Sequence, residues 1–330
     1  MKSVEPRTWI EIEKSAAKHN LKIIGQLTGP KVKIWAVVKS NAYGHGIFIV
    51  PKIINDAGIH GFCVDSIIEG VKLREAGIKK PILVLGFTPP SAFLLASRRG
   101  ITITISNSDV LKLFLKLKNP PAFHLKLDTG MHRQGFYPEE APALIKVLKT
   151  FTNHAAALAG IYTHFSSAKD TNYPGYTDMQ LAKFLAATEK FAAAGFKNLM
   201  RHAAATGGAL VNSKYHLDAV RIGIGLYGLW PSKELEVQLG DKIDFRPILS
   251  WHTAIAEIKS VKSGSYIGYD LAERAIRDAK IAILPIGYWH GFPRALSGAG
   301  HALIAGARAR VLGRVSMDMI AVDVSGIKCK

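Results

Sequence analysis

Ile34-Trp35-Ala36-Val37-Val38 is an apolar run that ends abruptly in Lys39, and Tyr43, Gly44 and Gly46 follow closely. An amine at the mouth of a buried strand loses hydration in its charged form, which makes it available as a nucleophile. Schiff-base formation with an aldehyde is the natural use of such a lysine. Tyr43 offers a hydroxyl one turn on, and the two glycines let the backbone bend tightly. The segment alone also describes a solvated strand end beside a turn, and both readings stay open. His164, at the end of Ile161-Tyr162-Thr163-His164, is a strand-end histidine that serves structure as readily as chemistry. Cys63 lies inside Gly61-Phe62-Cys63-Val64 as a small core residue. With Cys329 it makes two cysteines, too few for a zinc site or a disulfide framework, so no metal is expected.

These residues need elements to hold them. Short apolar runs at 33–38, 60–64, 82–85, 102–105, 123–127, 157–163, 199–202 and 217–222 read as eight strands. Amphipathic stretches at 47–57, 67–76, 91–99, 108–117, 138–149 and 179–194 alternate with them as helices. Ser66, Ser108 and Thr177 are N-cap candidates, and Gly77, Gly100 and Gly195 sit where helices would stop. Eight such units predict an α/β chain folded as a (β/α)8 TIM-like barrel, with a doubly wound sheet as the competitor. After Pro231 the texture changes to short alternating runs with glycine-rich turns, which predicts a second, mostly β-strand domain. The expected division is a barrel over 12–238 and a β domain made of 1–11 and 239–330.

With 330 residues the chain can bury a sizeable core, and 48% apolar residues exclude a disordered protein. Lysine and arginine number 43 against 25 acids, a net charge of +18 that suits acidic partners. The basic residues are scattered, however; the nearest cluster is Arg308, Arg310 and Arg314, without interleaved aromatics. Neither a nucleic-acid nor a membrane partner is therefore expected. Met1-Lys2-Ser3-Val4-Glu5-Pro6-Arg7 lacks the apolar centre of a signal peptide, and the sequence reads as cytoplasmic.

AVVKSNAYGHG resembles the signature of the fold-type III pyridoxal 5'-phosphate (PLP) enzymes known as alanine racemases. RTWIEIEKSAAKHNL, KLDTGMHRQGF, IYTHFSSAKD, RHAAATGGAL, VRIGIGLYG, IGYD, PIGYWHGFPR and GRVSMDM agree with that family in order and spacing across essentially the whole chain. The resemblance implies that Lys39 carries PLP and acts as one of two acid/base groups at the substrate Cα. Tyr269 matches the second base, which the family draws from the other subunit of a head-to-tail homodimer. A free phenol titrates near ~10, so that role needs supporting neighbours; His164, with Arg221 behind it, matches them.

By the same resemblance, Arg221 meets the pyridine nitrogen of PLP and keeps it unprotonated. Tyr43, Thr206, Gly223 and Ile224 match the residues that hold the phosphate. Arg133 matches the arginine beside the substrate carboxylate, and Lys126 a lysine that is often carbamylated to orient it. Met317 and Asp318 match a loop that reaches the substrate carboxylate from the partner subunit; read alone, they are a β-turn. The implied activity is interconversion of L- and D-alanine by two-base proton transfer at Cα, supplying D-alanine for peptidoglycan. Racemisation of serine, lysine or ornithine, or PLP binding without turnover, are the alternatives.

Three departures from the family pattern stand out. Ala205 replaces the usual asparagine before the phosphate-binding hydroxyl, and His290 replaces the acid of the usual GYxDG. The chain also ends at Lys330, where the family continues with strands that carry a further phosphate-binding tyrosine. Two expectations follow: either the sequence is a truncated piece of a longer chain, or the β domain is shorter and the cofactor less firmly held.

Overall fold

A computed structural model describes residues 5–330. Residues 1–4, the start of the stretch read for a signal peptide and of the expected β domain, lie outside the described residues. Two compact units emerge, one of Ile12–Leu249 and one of Ser250–Lys330 with the residues up to Glu11. The division thus falls later than 238. The helix Lys233–Leu239 and the segment after it stay with the barrel, because Ile243, Phe245 and Ile248 join its outer core. Asn20 locks that segment in place: its amide donates to the Arg246 carbonyl at 2.8 Å and accepts from Arg246 N–H at 2.9 Å.

β1 (Thr8–Ile12) precedes the barrel. Eight parallel strands follow: β2 (Lys33–Val37), β3 (Gly61–Val64), β4 (Ile82–Val84), β5 (Ile103–Ile105), β6 (Phe123–Lys126), β7 (Leu158–Tyr162), β8 (Met200–Ala205) and β9 (Ala219–Ile222). They pair in the order β4-β3-β2-β9-β8-β7-β6-β5. The ring closes where Val84 N–H donates to the Thr102 carbonyl and Thr102 N–H to the Ile82 carbonyl, each at 2.9 Å. The structure is therefore the (β/α)8 barrel, not the doubly wound sheet.

Strand alternation sorts the side chains between two environments. Ile34, Ala36, Phe123, Leu125, Val220 and Ile222 point outward into the large core beneath the helices. Trp35, Val37, Cys63, Leu83 and Ala219 fill one part of the interior. The rest of the interior is polar: Thr104, His124, Tyr162, His202 and Arg221 are all buried. Among the helices, Ser66 caps Ile67–Glu75 as expected, accepting from Glu69 N–H. Asn107, not Ser108, caps Ser108–Phe114, and the helix Gly175–Ala193 starts before Thr177, right after Pro174. Gly77, Gly100 and Gly195 end their helices with φ of 85°, 58° and 103°.

In the second unit β10 (Leu249–Thr253) pairs with β1. An antiparallel sheet orders as β11-β12-β15-β14-β13, from β11 (Glu257–Val261), β12 (Ala279–Leu284), β13 (His301–Ile304), β14 (Ala307–Leu312) and β15 (Ile320–Asp323). Its small core contains Ala282, Leu284, Val311, Ile320 and Val322. No helix among the described residues is long and apolar enough to cross a membrane.

Candidate active site

A cavity of about 570 Å³ opens where the barrel strands end. Lys39, Tyr43, Lys126, Arg133, His164, Thr206, Arg221, Gly223 and Ile224, read from widely separated segments, all line it. A second cavity of about 530 Å³, lined by Lys33, Met200, Arg201 and Asp218 at the starts of the strands, contains none of them.

Lys39 follows β2, half-buried, with Nζ 3.4 Å from the Asp65 carboxylate beyond β3. Its environment thus includes an acid that the sequence reading did not single out. Next come four residues, Ser40 to Tyr43, with φ between 54° and 56°, a complete left-handed turn. Each such residue costs roughly 1–2 kcal/mol, so the turn needs support. Ala42 N–H donates to the Val38 carbonyl, Gly46 N–H to that of Asn41, and Ile47 N–H to the Asn41 side chain. Glu69 accepts from both Asn41 N–H and Asp65 N–H, at 3.2 and 2.9 Å, tying the two loops together. The turn lays the Tyr43 ring 4.8 Å from that of Tyr227, with its hydroxyl over Gly223. A Cβ on Gly223 would come within 2.5 Å of that oxygen.

Thr206 is buried, and its hydroxyl oxygen accepts from Gly223 N–H at 3.2 Å and Gly225 N–H at 3.4 Å. Its own proton is then free to donate. Gly223 N–H, expected to face the cavity, is turned onto Thr206, and the glycine's contribution is space for Tyr43. Ile224 N–H has no acceptor among the described residues.

Arg221 is 2% exposed. Nη1 donates to His202 Nδ1 at 2.6 Å, and Nη2 to the carbonyls of Thr163 and Ala203 and to His164 Nδ1. No carboxylate among the described residues offsets its charge, and its Nε–H has no acceptor there. A guanidinium cannot accept, so His164 is the neutral tautomer with its proton on Nε2. Burial, reinforced by Arg221, pushes the His164 imidazole down to about 3.

Lys126, at the end of β6, donates to the Gln134 side chain at 3.1 Å. Burial first, then Arg133 and Arg221, push its amine down to about 8. Arg133 is exposed on a loop organised by Asp128, whose carboxylate accepts N–H from Gly130, Met131, His132 and Arg133. Tyr162 holds the centre: Arg221 Cζ and Lys126 Nζ lie 5.2 and 5.6 Å from its ring centroid. It is the last residue of β7 and was not singled out in the sequence, although it stands two residues before His164, which follows the strand.

Tyr269, Met317 and Asp318 belong to the second unit, and the cavity lining contains none of them. Tyr269 is 67% exposed, in a turn where Asp270 and Leu271 also take positive φ. Met317 is exposed, its carbonyl accepting from Trp289 N–H at 3.0 Å, and Asp318 is half-buried. His290, in the place of the family's acid, accepts from Gly287 N–H through Nδ1 at 3.2 Å.

Residues 12–231 match the family model described as alanine racemase, N-terminal domain, and 248–330 the one described as alanine racemase, C-terminal domain. The chain belongs to the alanine racemase family. An alanine racemase of Desulforamulus reducens is 37% identical over 323 residues, covering 97% of this chain and 86% of the relative. One from Leptospira interrogans is 37% identical over 326 residues, covering 97% and 83%. Among solved structures, alanine racemase of Clostridium difficile 630 superposes with a TM-score of 0.90 at 31% identity, covering 99% of this chain and 86% of that one. Alanine racemase from Bacillus anthracis with bound L-Ala-P gives 0.88 at 33%, covering 99% and 84%. This family is one of isomerases, and its members share the barrel and antiparallel sheet described above.

Proposed function

We propose that the chain is a PLP-dependent racemase that interconverts L- and D-alanine in the cytoplasm, supplying D-alanine for peptidoglycan as a head-to-tail homodimer. The observation that carries this reading is Arg221, a buried guanidinium with no carboxylate beside it and no acceptor for its Nε–H among the described residues, in the lining of the same cavity as Lys39. The lining suits PLP: an N–H donor for a pyridine nitrogen, an amine for an aldehyde, and a cradle for a phosphate. That cradle is the Thr206 and Tyr43 hydroxyls with Ile224 N–H, and a Cβ at Gly223 would fill it. When bound, PLP supplies an aldehyde that condenses with amines and a ring that accepts electron density from Cα.

Lys39 Nζ takes the Cα proton of one enantiomer, and Tyr269 of the partner subunit returns a proton to the opposite face. The roles reverse for the other direction. His164, held neutral with its Nε2–H free, is the donor suited to steady a phenolate oxygen. Arg221 never gives up its proton, so the acceptor it faces stays unprotonated. Arg133 and the backbone N–H of the partner subunit's Met317, beside Asp318, bind the substrate carboxylate. Lys126, neutral in appreciable fraction near pH 8, suits carbamylation, which requires the free amine.

The test is exchange of the Cα hydrogen of alanine in deuterated water by PLP-loaded protein. Exchange with racemisation, lost in Lys39→Ala, is expected. Exchange of serine, lysine or ornithine but not alanine overturns the substrate, and none with any amino acid overturns the enzyme.

A further inference from the structure

Behind the cavity lies a second tier of imidazoles. His202 accepts from Arg221 through Nδ1 at 2.6 Å, so its proton must sit on Nε2. That proton points at His124 Nδ1, 2.9 Å away. His124 is then the acceptor and carries its own proton on Nε2. The ring of His202 lies parallel to that of Tyr162, 4.7 Å between centroids and 5° between planes. Tyr162 is itself anchored through its hydroxyl to Thr104 and the Leu85 carbonyl. The stack leaves His202 one alternative, a 180° flip. A flip would turn Cδ2–H toward Arg221 and Cε1–H toward His124, losing both hydrogen bonds together.

Register explains how His124 reaches this place. His124 on β6 pairs with Gly160 on β7. A Cβ on Gly160 would meet His124 Cε1 at 2.6 Å and both ring nitrogens at 2.8 Å. The backbone at Gly160 lies outside the left-handed region, so alanine is excluded there by the imidazole alone.

We infer that His124 is a positioning residue for the reaction: through His202 it fixes the guanidinium of Arg221, and the bare Gly160 gives its ring the space to do so. Nη1 of Arg221 has His202 as its only partner among the described residues, whereas Nη2 has three. Removing the His124 acceptor leaves a buried Nε2–H unsatisfied and removes half of what opposes the flip. The kinetic consequence rests on the racemase reading, and the tautomer chain stands independently of it.

Two measurements test this. In unloaded protein with 15N-labelled histidine, His202 should show a bare Nδ1 and a protonated, exchange-protected Nε2. His124→Leu should lose that protection, and His124→Asn, with its amide oxygen in place of Nδ1, should keep it. A proton on His202 Nδ1, or protection unchanged in His124→Leu, overturns the inference. In loaded enzyme, His124→Leu and Gly160→Ala should each lower kcat roughly tenfold to a hundredfold. KM for alanine should change less than about twofold. His124→Asn should recover most of the loss, and the double variant should be no worse than either single one. Equal losses in His124→Asn and His124→Leu, or additive losses in the double variant, would also overturn it. Should His124→Leu not fold, Gly160→Ala and the wild-type tautomers carry the test. A wild-type protein that turns over no amino acid defeats the racemase reading and leaves the tautomer result intact.

Discussion

Lys126 and Arg221 are two cations inside one barrel, and no carboxylate in the polar interior faces them except Asp128, which backbone N–H groups already occupy. Burial opposes the Asp128 charge, and the four N–H groups more than compensate, holding its carboxyl below the usual range. Its charge is thus spent on shaping the Arg133 loop. The unfolded Lys126 titrates at the ordinary 10.5 and the folded one at about 8. Between those values the unfolded chain binds more protons, so stability rises with pH across that window. Below about 8 the charged amine penalises the fold in full. Lys126→Met in carbon-dioxide-free buffer should therefore raise the melting temperature by a few degrees at pH 7 and much less at pH 10. Equal effects at both values, followed by circular dichroism, would mean that the ammonium is not penalised. A modified Lys126 would remove this penalty, which gives the lysine a physical reason to react.

The loops after β2 and β3 act as a single piece because one side chain, Glu69, holds both. Glu69→Ala should destabilise the protein by about 1–2 kcal/mol, two backbone N–H groups losing their acceptor. Glu69→Gln, which keeps an oxygen, should recover about half, read from urea denaturation. No difference between the two variants would show that the loops are held elsewhere. At this scale the sequence was most legible. All eight strands lie within the runs marked by apolar patterning, or within a few residues of their ends, because the outward faces pack beneath the helices and stay apolar even where β6 to β9 point polar residues inward. The left-handed turn was not legible. Gly44, Gly46 and Asn41 announce a tight bend, but Ser40, Ala42 and Tyr43 have no preference for positive φ, and only the surrounding hydrogen bonds hold them there. Tyr162 and His202 were hidden for a different reason. Each looks like an ordinary strand residue until register brings the pair beside Arg221. One cap moved by a single residue, where Asn107 displaced Ser108 because neighbouring polar residues compete for the same N–H; another moved by three, where the helix starts after Pro174 and not at Thr177.

Across the whole molecule, the cavity in the barrel gathers one proposed base, Lys39, and none of the residues read as coming from a partner. Tyr269 and Met317 stand exposed in the other unit, among further exposed apolar side chains such as Leu271, Trp289 and Met319. Exposed phenol and thioether groups in such number are what an isologous interface would cover. If each active site takes Lys39 from one chain and Tyr269 from the other, Lys39→Ala and Tyr269→Ala homodimers are both inactive. A dimer containing one of each has one site with both groups missing and one with both intact. Random re-pairing of an equal mixture makes half the dimers mixed, with one working site in two, so about a quarter of wild-type activity should return. The recovery should track the mixed dimer resolved by tags of different mass. Activity that stays at the level of the separate variants, in a sample proven to contain mixed dimers, would require both groups to come from the same chain.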